Sequence, residues 1–171
     1  MCRIMIRGES NVYEQAKIAD PSTMASLVNS HNEWDPLEEV IVGTARGARV
    51  PIGDKGLFAI RYADYDNAAS IPSGPHDPRI VAEAEEDLAA IVAAFESLGI
   101  IVRRPKQLDL SSRFSTHNWE SDGMYDYCPR DIFLPVGDKI IETPMSLRSR
   151  FLETFAYKDI RLFGIRGVVG V

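Results

Sequence analysis

The fold class is decided by DPRIVAEAEEDLAAIVAAFESLGIIVR, residues 77–103. Asp77 can cap a helix that begins at Pro78, and Gly99 can end it. The apolar side chains between them recur at helical spacing and predict one buried face: Ile80, Val81, Ala84, Leu88, Ile91, Val92, Phe95 and Leu98. The β-branched residues 100–102 and Arg103 follow at once and predict a strand. A helix that passes through a one-residue turn into a strand indicates an α/β protein.

The residues before this unit predict strands and a loop. Residues 37–43, LEEVIVG, end in a β-branched run closed by glycine, which is typical of a strand. Residues 57–62, LFAIRY, predict a second strand. Residues 71–78 contain three prolines and one glycine, so they predict a loop. The first unit therefore has the order β(β)αβ.

A second unit follows the helix–strand pair. Residues 131–136 and 139–143 are apolar runs separated by Gly137-Asp138, and this spacing predicts a β-hairpin. Pro135 must then lie at an edge or a bulge, because it cannot donate a backbone hydrogen bond. Residues 145–160 carry a second helical pattern, and no closing strand is predicted after it. The order of this unit is ββα.

Composition excludes several classes of protein. The 171 residues are 45% hydrophobic and 26% charged, which is ordinary for a globular chain. There are 19 basic and 25 acidic residues, a net charge of −6, so neither a nucleic acid nor an anionic membrane is an expected partner. Two cysteines, no secretory signal and no long apolar run favour a cytoplasmic location. No cofactor or metal motif is present, and neither is expected.

The chain divides into three segments by pattern. Residues 1–27 carry little pattern and are interpreted as an N-terminal extension. Residues 28–160 contain the two α/β units. Residues 161–171, RLFGIRGVVGV, have a glycine at every third position from Gly164, no acidic residue and no helical pattern. Such an abrupt change is typical of a frameshift.

One acidic residue is a candidate binding group. Asp131 lies at the start of an apolar strand, where its carboxylate can lose water, and such a carboxylate pairs well with the planar guanidinium group. The simpler interpretation is an aspartate that caps or turns the chain. Arg148 and Arg150 fit a solvated helix face better than an anion site.

Other candidates have simple alternatives. Cys128 and His117 have the residue types of a nucleophile and its base, yet a buried or incidental cysteine and a loop or surface histidine explain them better. Trp34 and Trp119 are more typical of packing than of a ligand cage. The histidine spacing indicates no metal site.

Several motifs together resemble one enzyme family. They are NEWDPLEEVIVG (32–43), PRDIFL (129–134), GDKIIETPM (137–145), RSRF (148–151) and AY (156–157). In this order they resemble the N-terminal part of the arginine:glycine amidinotransferase family, including its inosamine-phosphate and secondary-metabolite branches. The resemblance covers about residues 28–160.

The resemblance implies a fold and an activity. The fold is a five-bladed α/β propeller of ββαβ modules, of which residues 28–160 would form the first and an incomplete second. The activity is transfer of the amidino group of L-arginine to glycine or a related amine through an amidino-cysteine intermediate. Ornithine is released, no cofactor is used, and the product serves creatine or guanidino-compound biosynthesis. A full-length member would be a homodimer.

The resemblance also implies residue roles. The aspartate of the PRD motif binds the substrate guanidinium, and that role falls on Asp131. The catalytic Asp, His and Cys of the family lie in later modules, beyond residue 171, and Cys128 is not at the nucleophile's place. An inactive N-terminal fragment is therefore expected. Two alternatives stay open: a guanidine hydrolase of the same superfamily, such as an arginine deiminase or dimethylarginine hydrolase, and a non-catalytic binding module.

Overall fold

The structure is a computed structural model, and it describes residues 28–32, 34–162 and 168–170. The strands, labelled β1 to β9 in chain order, are Glu39–Ile41, Arg49–Val50, Gly74–Pro75, Ile101–Arg103, Phe114–Ser115, Glu120–Ser121, Phe133–Val136, Lys139–Glu142 and Val168–Gly170. The α-helices, labelled α1 to α4, are Lys55–Arg61, Pro78–Ser97, Pro129–Ile132 and Lys158–Leu162. Short 3₁₀ helices are Ala68–Ser70, Arg148–Arg150 and Glu153–Tyr157. The predicted extension, residues 1–27, lies outside the described residues.

The predicted α/β unit is confirmed. The Asp77 side chain accepts a hydrogen bond from the backbone N–H of Arg79 at 2.9 Å and caps α2, which begins at Pro78. Gly99 ends the helix with φ of +77°, a conformation that glycine adopts without strain. The chain then enters β4, which pairs in parallel with β1, Val40 opposite Val102. Helix α2 is therefore the crossover of a β–α–β unit.

Strand β1 separates two hydrophobic clusters, because alternate residues of a strand point to opposite sides. Val40 and Val42 pack with Leu88 of α2 on one side. Ile41 packs on the other side with Ile132 and Tyr157, which come from the C-terminal part of the chain. The second side carries the candidate site, so β1 ties that site to the α/β unit.

The predicted hairpin is confirmed with one change at its start. Strands β7 and β8 pair antiparallel from Phe133–Glu142 to Val136–Lys139, and Gly137 turns the chain with φ of +59°. Pro135 opposes Ile140 in a two-stranded sheet, so it lies at an edge as expected. Asp131 belongs to α3 rather than to the strand, because Pro129 favours a helical first turn.

Two helix and strand predictions were wrong. Residues 57–62 form most of α1 instead of a strand, because the side chain of Asp54 caps the backbone N–H of Leu57 at 2.8 Å and starts a helix there. Residues 145–160 do not form one continuous helix but two 3₁₀ helices followed by α4. The spacing of apolar residues in a short segment fits both a helix and a strand, and a capping residue at its start can favour the helix.

A strand also lies in the segment that was expected to have none. Strand β9, within the glycine-containing tail, pairs in parallel with β1, Glu39 opposite Val168 and Ile41 opposite Gly170. The two consecutive valines favour an extended backbone, and the regular glycines hid that signal. The sheet order is β4-β1-β9. In the described part of the chain no helix has the length and apolarity needed to cross a membrane.

Candidate functional site

Of the two carboxylate oxygens of Asp131, one accepts a hydrogen bond and the other accepts none from the residues that the structure describes. Its Oδ2 accepts a hydrogen bond from a terminal guanidinium nitrogen of Arg150 at 2.9 Å. Its Oδ1 lies 3.8 Å from Nε of the exposed Arg130, which is beyond hydrogen-bond distance. The side chain is 36% exposed, so a ligand can reach the carboxylate. The geometry permits the predicted guanidinium contact.

Arg150 corrects the prediction of a solvated arginine face. Arg148 is exposed as expected, but the side chain of Arg150 is only 5% exposed. Arg150 is buried because Glu153, itself buried, accepts hydrogen bonds from both its Nε and its other terminal nitrogen, the latter at 2.9 Å. Burial acts to lower the pKa of Arg150, but the hydrogen bonds and charges of Glu153 and Asp131 outweigh it and raise that pKa. We name Asp131, Arg150 and Glu153 the carboxylate–arginine cluster.

A second buried carboxyl group lies near this cluster. Burial raises the pKa of Asp126 to about 7, and the charge of Glu153 adds to the increase. Oδ1 of Asp126 has no hydrogen-bond partner in the part of the chain that the structure describes. The hydroxyl of the buried Tyr157 donates to the backbone carbonyl of Asp126 at 2.6 Å. The site is therefore a buried acidic region with one arginine inside it.

Cys128 does not have the surroundings of an activated nucleophile. Burial raises the pKa of its thiol, and the charge of Asp131 raises it further, so the reactive thiolate is disfavoured. Cys128 lines a cavity of about 360 Å³ together with His76. His117 is exposed and does not line that cavity. The structure thus does not bring Cys128 and His117 together as a nucleophile and its base.

The two tryptophans differ in their surroundings. Trp119 packs edge-to-face against Phe114 and Phe151, with ring centroids 6.0 and 5.7 Å apart, as expected for a packing residue. Trp34 is 83% exposed, so the packing prediction was wrong there. Within the described residues, no group of His, Cys, Asp or Glu side chains could hold a metal ion.

Sequence reasoning missed Glu153 and Asp126. Glu153 carried a signal, because an arginine and a glutamate three residues apart meet on one side of a helical turn. Asp126 carried none, since a lone aspartate among tyrosines is more often exposed than buried.

Sequence comparisons find amidinotransferases. The chain is 58% identical over 138 residues to inosamine-phosphate amidinotransferase 1 of Streptomyces griseus. It is 39% identical over 145 residues to the mitochondrial glycine amidinotransferase of Xenopus tropicalis. These alignments cover 80% and 84% of this chain but only 40% and 34% of the relatives. No family profile matches the sequence.

Structural comparisons agree. The solved inosamine-phosphate amidinotransferase from Streptomyces griseus matches with a TM-score of 0.77 and 55% identity, over 84% of this chain and 42% of that one. A Microseira wollei amidinotransferase of the saxitoxin biosynthetic pathway matches with a TM-score of 0.68 and 37% identity, over 82% and 41%. The resemblance drawn from the sequence motifs is therefore confirmed: over about four-fifths of its length, this chain is a relative of the inosamine-phosphate and glycine amidinotransferases.

Proposed function

We propose that this protein serves amidino-group transfer from L-arginine to an acceptor amine, and that Asp131 binds the arginine guanidinium. The names of the relatives support amidino transfer. The observation that carries the role of Asp131 is its partly exposed carboxylate: the buried Arg150 donates to one oxygen, and the other accepts no hydrogen bond from the described residues. A guanidinium that approaches the open oxygen forms a charge-assisted hydrogen bond.

The proposed reaction has two steps. A cysteine thiolate attacks the guanidino carbon of L-arginine, the bond from that carbon to Nε breaks, and a histidine protonates that nitrogen as ornithine departs. The acceptor amine, glycine or a related amine, then attacks the amidino-cysteine carbon. Its proton passes to the histidine, and the carbon–sulfur bond breaks to restore the thiolate.

This chain supplies the guanidinium site of that reaction. The family resemblance implies that the catalytic cysteine, histidine and aspartate belong to later modules, outside these 171 residues. We therefore expect a protein of these residues alone to bind L-arginine and to release no ornithine. In the complete enzyme, the chain would form part of a five-bladed propeller in a cytoplasmic homodimer.

Calorimetry with two ligands tests the binding role. L-Citrulline has nearly the shape of L-arginine, but its ureido group is uncharged. We expect the chain to bind L-arginine at least about tenfold more tightly, because only the guanidinium pairs with Asp131. Equal affinities would contradict the guanidinium site.

An ornithine assay tests whether this chain binds L-arginine without catalysing amidino transfer. The chain is incubated with L-arginine and glycine, and ornithine is measured, with Cys128→Ser as the matched variant. We expect no ornithine from either protein. Release by the wild type that Cys128→Ser abolishes would show that the chain carries its own nucleophile.

A further inference from the structure

Arg150 makes a directed set of contacts with two carboxylates. Nε and one terminal nitrogen bond the two oxygens of Glu153, and the other terminal nitrogen bonds Oδ2 of Asp131. The guanidinium also lies over the ring of Tyr125, 4.8 Å from its centroid. Because the Glu153 pair and the ring both fix the guanidinium plane, the third contact points in one direction only.

The backbone of Asp131 is fixed independently. Its N–H donates to the carbonyl of Cys128 at 3.1 Å, and its carbonyl accepts from the hydroxyl of Thr143 at 2.6 Å. With the backbone fixed, only rotation about the side-chain bonds of Asp131 can change the direction of its carboxylate. The contact from Arg150 removes that freedom and leaves Oδ1 open.

The charges of the cluster match one cationic ligand. Above about pH 7, where Glu153 is ionised, the cluster has one positive and two negative charges. Two neighbours outside the cluster offset each other, because the buried Asp126 also ionises near pH 7 and the exposed Arg130 lies 3.8 Å from Oδ1 of Asp131. Glu153 offsets the charge of Arg150, so Arg150 can orient Asp131 without cancelling its attraction for a guanidinium.

We propose that Arg150 is a positioning residue for substrate binding: anchored by Glu153, it holds Oδ2 of Asp131 so that Oδ1 faces an incoming guanidinium. This inference rests on the proposed function of Asp131. It assigns Arg150 no contact with the substrate.

A double-mutant cycle tests the inference on the 171-residue chain. L-Arginine affinity is measured by calorimetry at about pH 8 for the wild type, Arg150→Lys, Asp131→Asn and the double variant. Lysine keeps the charge but cannot contact both carboxylates in a fixed plane. We expect Arg150→Lys to weaken L-arginine binding about tenfold when Asp131 is intact, and to cause no further loss when it is combined with Asp131→Asn. Arg79→Lys, at the exposed Arg79–Asp77 ion pair where α2 begins, is the control and should leave affinity unchanged.

A ligand-free readout separates positioning from binding. NMR couplings of the Asp131 side chain should show one rotamer in the wild type and averaging in Arg150→Lys. If Arg150→Lys fails to fold by circular dichroism, Glu153→Gln replaces it. In Glu153→Gln, Arg150 keeps its charge but loses the carboxylate that holds its guanidinium group. This variant should weaken arginine binding only when Asp131 is intact.

Each outcome decides one question. Equal losses in the wild type and in Asp131→Asn would show that Arg150 acts only on the fold, and would overturn the inference. Unchanged affinity in Asp131→Asn would overturn the proposed guanidinium site instead. If the wild type binds no arginine, the proposed function fails, and the rotamer measurement alone decides whether Arg150 positions Asp131.

Discussion

The hydroxyl of Tyr157 donates a 2.6 Å hydrogen bond to the backbone carbonyl of Asp126, and both residues are almost fully buried. The bond joins the 3₁₀ segment Glu153–Tyr157 to the loop before α3. The ring of Tyr157 also packs edge-to-face on Phe133 at 5.5 Å. Tyr157 therefore connects the segment that carries Glu153 to the segment that leads to Asp131.

Tyr157→Phe removes this bond and keeps the ring. Because the carbonyl of Asp126 is then left buried without its donor, we expect a loss of about 1–3 kcal/mol in the free energy of unfolding. Urea denaturation measures it. Tyr65→Phe, at an exposed tyrosine, is the matched control and should change stability little. Equal effects of the two variants would show that the buried bond contributes nothing specific.

Stability should fall as pH rises, because of Asp126. Burial raises its pKa from 3.8 to about 7, so the folded chain holds this proton at pH values where the unfolded chain has lost it. The contribution is complete below about pH 4 and is lost as pH rises through 7. We expect the contribution of Asp126 alone to make urea stability about 2–4 kcal/mol lower at pH 8 than at pH 5.

Asp126→Asn should remove much of that slope, because asparagine does not titrate. Some slope should remain, since burial also raises the pKa of Glu153 to about 7. Asp138→Asn, on the exposed hairpin turn, is the control and should keep the wild-type slope. A slope unchanged in Asp126→Asn would assign the pH dependence to other groups.

Gly43, which follows β1, leaves no space for a side chain. A Cβ atom there would lie 2.1 Å from the backbone carbonyl oxygen of Tyr127, a distance that requires the backbone to move. We expect Gly43→Ala to destabilise the chain by about 3 kcal/mol in urea denaturation. In Gly56→Ala the nearest atom is the side-chain oxygen of Asp54 that caps α1, at 3.2 Å, so a shift of a few tenths of an ångström suffices and stability should change by less than about 1 kcal/mol. Similar losses in both would contradict the close approach at Gly43.

The sequence predicted the parts of the fold that local signals control. Helix α2 and the β7–β8 hairpin have their own caps and turns, so their limits could be located to within a few residues. The site could be predicted only in part. Asp131 was found through its motif, but its partner Arg150 lies 19 residues away in a 3₁₀ helix, and arginine is usually exposed. Long-range burial of a charge depends on its tertiary partners, which one sequence does not display.

Asp131→Asn tests the residue on which the proposed function depends. Asparagine keeps the size of the side chain but removes the charge that would pair with the guanidinium. Loss of one partner costs about 1 kcal/mol for an exposed charge pair and about 2–5 kcal/mol for a desolvated one. Asp131 is 36% exposed, so its cost lies between these limits and L-arginine affinity should fall about tenfold or more. In a full-length enzyme that contains this chain, kcat/KM for L-arginine should fall likewise. Asp138→Asn removes an exposed acid from the hairpin turn and should leave both quantities unchanged. A change of less than about threefold in Asp131→Asn would identify Asp131 as a turn residue held by Arg150, with no part in guanidinium binding.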